Sequence, residues 1–152
     1  MSEQTSFQRI GAISNAHVGR DFEAAIRDVF ARQGYSLTSN FSAPVGHGER
    51  IKGHNFDLGS SDPPILVECK SHRWTAGNNV PSAKITVWNE AMYYFQLAPR
   101  RFRKCLCVLL DRRNGHGETL TTYYLRNYGH LVPDDVEVWE FDESTASATK
   151  VN

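Results

Sequence analysis

Apolar positions change period several times along this chain, and each change marks an element. From Asn15 to Gln33 they recur at helical spacing, with Val18, Phe22, Ile26, Val29 and Phe30 on one stripe, which predicts an amphipathic helix. Ser14 or Asn15 is placed to cap it and Gly34 to end it. Tyr35 to Val45 then intersperses Leu37, Phe41 and Val45 with small polar residues, as a strand packed on one face does. A turn over Gly46 to Arg50 leads to a second strand, Ile51 to Leu58. A further turn over Gly59 to Pro64 leads to the apolar strand Ile65 to Ser71. Three successive strands of this kind predict an antiparallel meander.

Helices return in the second half. His72 to Val80 reads as a loop, and Pro81 and Ser82 suit a helix start. Ile85, Trp88, Met92 and Phe95 follow at helical spacing, with Asn89, Tyr93 and Gln96 on an adjoining stripe, until Pro99 ends the run. Cys105 to Leu110 is continuously apolar, the mark of a strand covered on both faces. A loop over Asp111 to Gly117, a helix over Thr119 to Tyr128 and a last strand over Val136 to Phe141 complete the pattern. The expected architecture is an α/β (α+β) fold, a central mixed sheet with an antiparallel meander and flanking helices. It forms a single domain over residues 15–141, with an N-terminal segment 1–14 and a flexible, frayed tail 142–152.

Composition narrows the classes. At 152 residues, 40% hydrophobic and 22% charged, the chain suits one soluble globular domain. Its N-terminus lacks the apolar core of a signal peptide, and no run is long enough to span a bilayer, so the expected location is the cytoplasm, with no membrane partner. Cys69, Cys105 and Cys107 lack the spacing of a zinc site, and an odd number argues against a disulfide framework. With 17 basic and 17 acidic residues the formal net charge is zero, which counts against a nonspecific nucleic-acid coat protein but not against an enzyme with a local acidic site.

The candidate chemistry lies between Asn55 and Lys70. Side chains alternate along a strand, so Glu68 and Lys70 share one face while Cys69 points to the other. Asp57 sits on the preceding strand. Taken alone, Glu68 and Lys70 make an ordinary surface ion pair. With Asp57 beside them they make an oxygen-rich site suited to magnesium, which is often held by one or two carboxylates and keeps several waters. Asp57, Glu68 and the backbone carbonyl of Cys69 would hold the metal, and Lys70 would orient or deprotonate a water. Glu23, at the margin of the first helix's apolar stripe, reads in isolation as a solvated residue. His54, just before Asp57, reads as a loop histidine rather than a ligand. The six histidines include no pair at the spacing of a zinc hydrolase.

Asp57, followed after ten residues by Glu68-Cys69-Lys70, resembles the PD-(D/E)xK nuclease superfamily, whose fold is the restriction-endonuclease-like fold. Gly19-Arg20-Asp21-Phe22-Glu23 is similar to the family's acidic position on its first helix, and Asn89 to Tyr93 to its Gln-x-x-x-Tyr pattern. Phe56 stands where the family often has Pro, and Asn89 where it has Gln. The order of elements matches over about residues 15–141. The resemblance implies that Asp57 and Glu68 bind a divalent metal, Mg2+ with Mn2+ as a substitute, that Lys70 acts on the nucleophilic water, and that Glu23 assists. The implied activity is hydrolysis of phosphodiester bonds, as a DNA endonuclease of restriction, repair or mobile-element defence. A nuclease-like module that binds nucleic acid or protein without cleaving is the alternative.

Substrate contacts are expected from two basic stretches. His72, Arg73 and Trp74 follow the candidate site, with charge and a stacking ring for DNA, and Lys84 opens the next helix. Arg100, Arg101 and Arg103 form a cluster, with Lys104, that would meet phosphates. Asn89 and Tyr93 join them through the resemblance. Cutting both strands of a duplex would suit a homodimer.

Overall fold

The computed structural model describes the backbone of residues 12–152 and side chains from residue 19 onward. Six strands form one mixed sheet in sequence order: β1 (Thr38–His47), β2 (Arg50–Ser61), β3 (Pro64–Lys70), β4 (Arg103–Leu109), β5 (Val136–Asp142) and β6 (Ser147–Lys150). Three α-helices flank it: α1 (Ala12–Arg32), α2 (Ser82–Leu97) and α3 (Leu120–Tyr128). β1, β2 and β3 are the antiparallel meander. β3, β4 and β5 run parallel because α2 and α3 carry the chain back between them.

The helices divide between the two faces, giving three layers. Phe22, Ile26, Val29 and Phe30 of α1 pack on Leu58, Ile65, Val67, Cys105, Cys107, Leu109 and Phe141. On the other face Ile85, Trp88, Met92 and Phe95 of α2, with Leu120 and Tyr124 of α3, cover Leu66, Leu106, Val108 and Val138. β4 thus sends alternate residues into two cores, which is why its sequence is apolar without interruption. All three thiols are free, Cys105 and Cys107 buried and Cys69 half-buried against the α1 side.

Local chemistry fixes the helix ends. Past α1, Tyr35 N donates to Phe30 O at 2.9 Å and Gly34 N to Ala31 O at 3.0 Å, while Gly34 takes φ +91°. This is a Schellman stop, which requires a left-handed residue, and the Tyr35 and Phe30 rings seal it. Thr119 caps α3 by accepting from Thr122 N. Pro81 lies at the N-cap of α2, one position before the first helical turn.

The boundaries differ from expectation in four places. α1 already includes Ser14 and Asn15, so neither caps it; the side chains through Val18, and residues 1–11, lie outside the described residues. β2 runs on through Gly59 and Ser61, shortening the following turn to Asp62 and Pro63. His54 lies within β2, paired with Ala43, rather than in a loop. The tail expected to fray forms β6, paired with β5 from Asp142↔Ser147 to Trp139↔Lys150. Beyond it Val151 N donates to Val138 O, and the Asn152 amide accepts from Val138 N and donates to Val136 O. An edge strand needs little more than backbone pairing, so its polar composition was no obstacle. Among the described residues no helix is long and apolar enough to cross a membrane.

Candidate metal centre

Pairing between β2 and β3 runs from Ser61↔Pro64 to Leu58↔Val67 and stops there, although both strands continue. Pairing of β2 with β1 also passes over Asp57 and Asn40, and Asn40 takes φ +56°. At this break β2 changes faces: Phe56 belongs to the α2-side core and Leu58 to the α1-side core. In a regular strand they would share a face. Asp57 occupies the gap. Its Oδ2 accepts the Cys69 N–H at 2.8 Å, replacing a ladder bond that the diverging backbone no longer makes.

Three acids meet around it. Glu68 lies on the Leu66 side of β3, with little of its surface exposed, close enough to Asp57 for the two carboxyls to act on one another. Glu23, from the first-helix layer, lies beside Asp57 as well. Burial, then the Asp57 charge, pushes the Glu68 carboxyl up to about 8, against the pull of Lys70. The same two causes in the same order raise Glu23 to about 6. Lys70 Nζ stands 3.4 Å from Glu68 Oε2, and both side chains are largely covered.

The acids form a chain, Glu23–Asp57–Glu68, rather than a cage: among the described residues no three His, Cys, Asp or Glu side chains converge into a metal site of their own. The donor set still fits a hard cation. In a strand the N–H and C=O of one residue leave by the same edge, so the Cys69 carbonyl faces the edge where β2 has stopped pairing. It joins Asp57 and Glu68 as the oxygen set that magnesium accepts with water in its remaining positions. A divalent cation would also offset the burial and the Asp57 charge that keep Glu68 protonated.

His54 borders the site and was not anticipated there. Its Nε2 lies 4.0 Å from Glu68 Oε1, and its ring stacks on Tyr94 with centroids 3.6 Å apart and planes 9° apart. Burial holds its pKa below the usual histidine range. Reading β2 outward from Phe56 in steps of two reaches His54 on the same face, a signal the sequence carried. Glu90 of α2 is close enough to act on the His54 charge.

The expected substrate residues scatter. His72 and Lys84 stay near the centre: the charges of Lys70 and Lys84 both act on the His72 imidazole. Arg73 instead ties loops together, reaching Asp111 at 3.3 Å and Glu143 at 2.7 Å. Trp74 is buried, donating to Asp111 from its backbone N–H and its indole, with Tyr123 edge-on and Arg113 over the ring. It has no face to offer a base, which corrects its expected stacking role. Asn89 Oδ1 accepts from Tyr124 OH at 2.8 Å, and exposed Tyr93 bonds His47 at 2.8 Å. Both line a groove of about 340 Å³ between α2 and the turn at His130 to Pro133.

The basic cluster lies at the far end of the sheet. Arg103 pairs in register with Ile65, whereas Lys70 pairs with Val108, five residues further along β4. At about 3.3 Å per residue the separation is roughly 17 Å. Arg103 is also committed, holding Glu137 through two bonds of 2.7 and 3.1 Å. Lys104 is buried on Asp135. Arg100 and Arg101 remain exposed. No protein-family model, curated protein or solved structure matches the chain.

Proposed function

We propose that this chain is a magnesium-dependent nuclease of the PD-(D/E)xK type, with a restriction-endonuclease-like fold, acting on DNA as an endonuclease. The observation that carries the reading is the acid chain Glu23–Asp57–Glu68 at the break between β2 and β3, with Lys70 Nζ 3.4 Å from Glu68. A buried acid and a half-buried one, both of raised pKa and gathered around Asp57 with a lysine beside them, are costly to fold and support a functional site here.

Asp57, Glu68 and the Cys69 carbonyl would hold Mg2+, with Mn2+ as a substitute. When bound, the metal supplies Lewis-acid polarisation of the phosphate and stabilisation of the leaving oxygen. Lys70 orients the attacking water from beside Glu68. Glu23 holds Asp57 in place and takes up a proton near neutral pH. His54, clamped between Tyr94 and Phe56, walls the site on the β2 side.

The test is cleavage of duplex, single-stranded and branched DNA by the purified chain in magnesium. Lys70→Ala and Glu68→Ala should each lower the rate at least about 100-fold, with melting temperatures showing both variants folded. If Lys70→Ala cleaves as fast as the parent, Lys70 has no part in the chemistry. Binding of DNA without cleavage by the parent would leave the non-cleaving module.

A further inference from the structure

Past Lys70 the chain enters the loop that leads to α2, and its second residue is His72. Trp88 Nε1 donates to His72 Nδ1 at 2.8 Å. An indole N–H is a donor and nothing else, so Nδ1 must accept and the imidazole proton is confined to Nε2. Trp88 cannot turn away, because it is fully buried and Tyr124 packs on it with centroids 5.0 Å apart. Among the described residues His72 Nε2 has no hydrogen-bond partner, and the residue as a whole is only partly covered.

We propose that His72 contacts the substrate as a neutral donor, its Nε2–H hydrogen-bonding a non-bridging phosphate oxygen of the nucleic-acid strand beside the metal centre, with Trp88 as the residue that positions it. The identity of the ligand rests on the nuclease reading above; the locked donor does not. Lys70 and Lys84 already bring positive charge to this spot, and a third cation would be repelled by both. A neutral N–H adds a directional bond to an anion without that repulsion. Burial first, then Lys70 and Lys84, lowers the His72 pKa to about 4, which keeps the ring uncharged when a strand arrives.

The experiment measures binding of labelled duplex, single-stranded and branched DNA by fluorescence anisotropy in calcium, and cleavage of the same probes in magnesium, for the full chain, three single variants and the double variant of His72→Ala with Trp88→Phe. His72→Ala should weaken binding about tenfold, the loss expected for one hydrogen bond to a charged acceptor. His72→Gln, whose amide nitrogen stands near the place of Nε2, should stay within about threefold of the parent by the same reasoning. Nitrogen-15 spectra of the imidazole should find the proton on Nε2 in the parent and both tautomers in Trp88→Phe, and the Trp88→Phe loss of DNA binding should vanish in the His72→Ala background, which a purely structural role for Trp88 would not produce. Parent-like binding by His72→Ala, equal losses in His72→Gln and His72→Ala, or a proton on Nδ1 would each overturn the proposal. Binding that depends on His72 without cleavage keeps the contact and removes the nuclease reading. Failure of the parent to bind any probe removes both.

Discussion

Glu68 offers a test of the metal centre that needs no substrate. Its carboxyl is raised from an ordinary 4.5 to about 8 by burial and by Asp57. A group whose folded pKa is raised contributes stability below its unfolded pKa, and that contribution is lost as pH rises through the folded value. Glu68 should therefore pull stability down between pH 5 and pH 8, as the unfolded chain releases a proton that the folded chain retains, against an opposite rise from His72, whose lowered pKa makes the folded ring lose its proton first. At 1.36 kcal/mol per unit, and with the titration incomplete at both ends, the loss over that window is about 3 kcal/mol. Glu23, raised to about 6, adds a smaller loss of the same sign at the acid end, muted by its solvent exposure. For a domain of this size, 3 kcal/mol corresponds to a melting temperature lower by roughly 6–12 °C.

The assay is thermal unfolding in EDTA at half-unit steps from pH 5 to 8, for the parent and Glu68→Gln. The glutamine keeps the shape and cannot ionise, so the difference between its curve and the parent's isolates Glu68 and should widen in the glutamine's favour from pH 5 to pH 8, while His72 and Glu23 titrate in both. Magnesium should reverse the parent's loss, and more strongly at pH 8 than at pH 6, because at the lower pH it must displace the proton from Glu68. At one hundred times its dissociation constant it should restore about 2.7 kcal/mol. A glutamine variant whose melting temperature follows the same pH dependence as the parent's from pH 5 to 8 would refute the reasoning.

Other outcomes test the surroundings. Arg73→Ala removes a half-buried guanidinium from Asp111 and Glu143, and should cost about 2 kcal/mol, readable by urea unfolding. Replacing Arg100 and Arg101 together with Ala should leave the single-turnover cleavage rate within about twofold, because they precede Arg103, whose register on β4 lies roughly 17 Å along the sheet from that of Lys70. The slope of log binding against log salt should shrink by about one for each phosphate that the two arginines had neutralised. Asn152→Ala removes the two bonds its amide makes to β5 and should lower stability by about 1–2 kcal/mol, measured by thermal melting.

What was legible in the chain depended on the range over which its cause acts. The stripes of α1 and α2 and the two-faced run of β4 are short-range patterns, and they fell where expected. The Glu68 and Lys70 pair needed only the alternation of a strand. The basic cluster could not be placed from the sequence because sequence proximity carries no register: whether Arg100 to Arg103 lies beside Lys70 or a sheet's length away is decided by the pairing Ile65↔Arg103. Trp74 and Arg73 misled for a related reason. Their partner is Asp111, nearly 40 residues on, and an aromatic beside a basic residue looks the same whether it waits for a base or closes a loop. β6 was hidden because an edge strand can be built from polar residues as long as a neighbour offers its backbone.

The break between β2 and β3 draws these threads together. Had the ladder continued past Leu58↔Val67, the N–H and C=O of Cys69 would both have been consumed by β2, and Asp57 would have been one more alternating side chain. Because the strands part, the Cys69 N–H needs another acceptor, and Asp57 Oδ2 supplies it at 2.8 Å. That bond fixes the carboxylate at the sheet edge and leaves the Cys69 carbonyl at the same edge. One irregularity therefore orients a carboxylate and frees a carbonyl. It also lets Glu23, from the layer on one face of the sheet, and Glu68, on the other, meet at a common neighbour. The short motif records which residues are present. They come together where the regular sheet stops, and it is the stopping of the ladder, more than the spacing of the acids, that would let them serve as the proposed cation site.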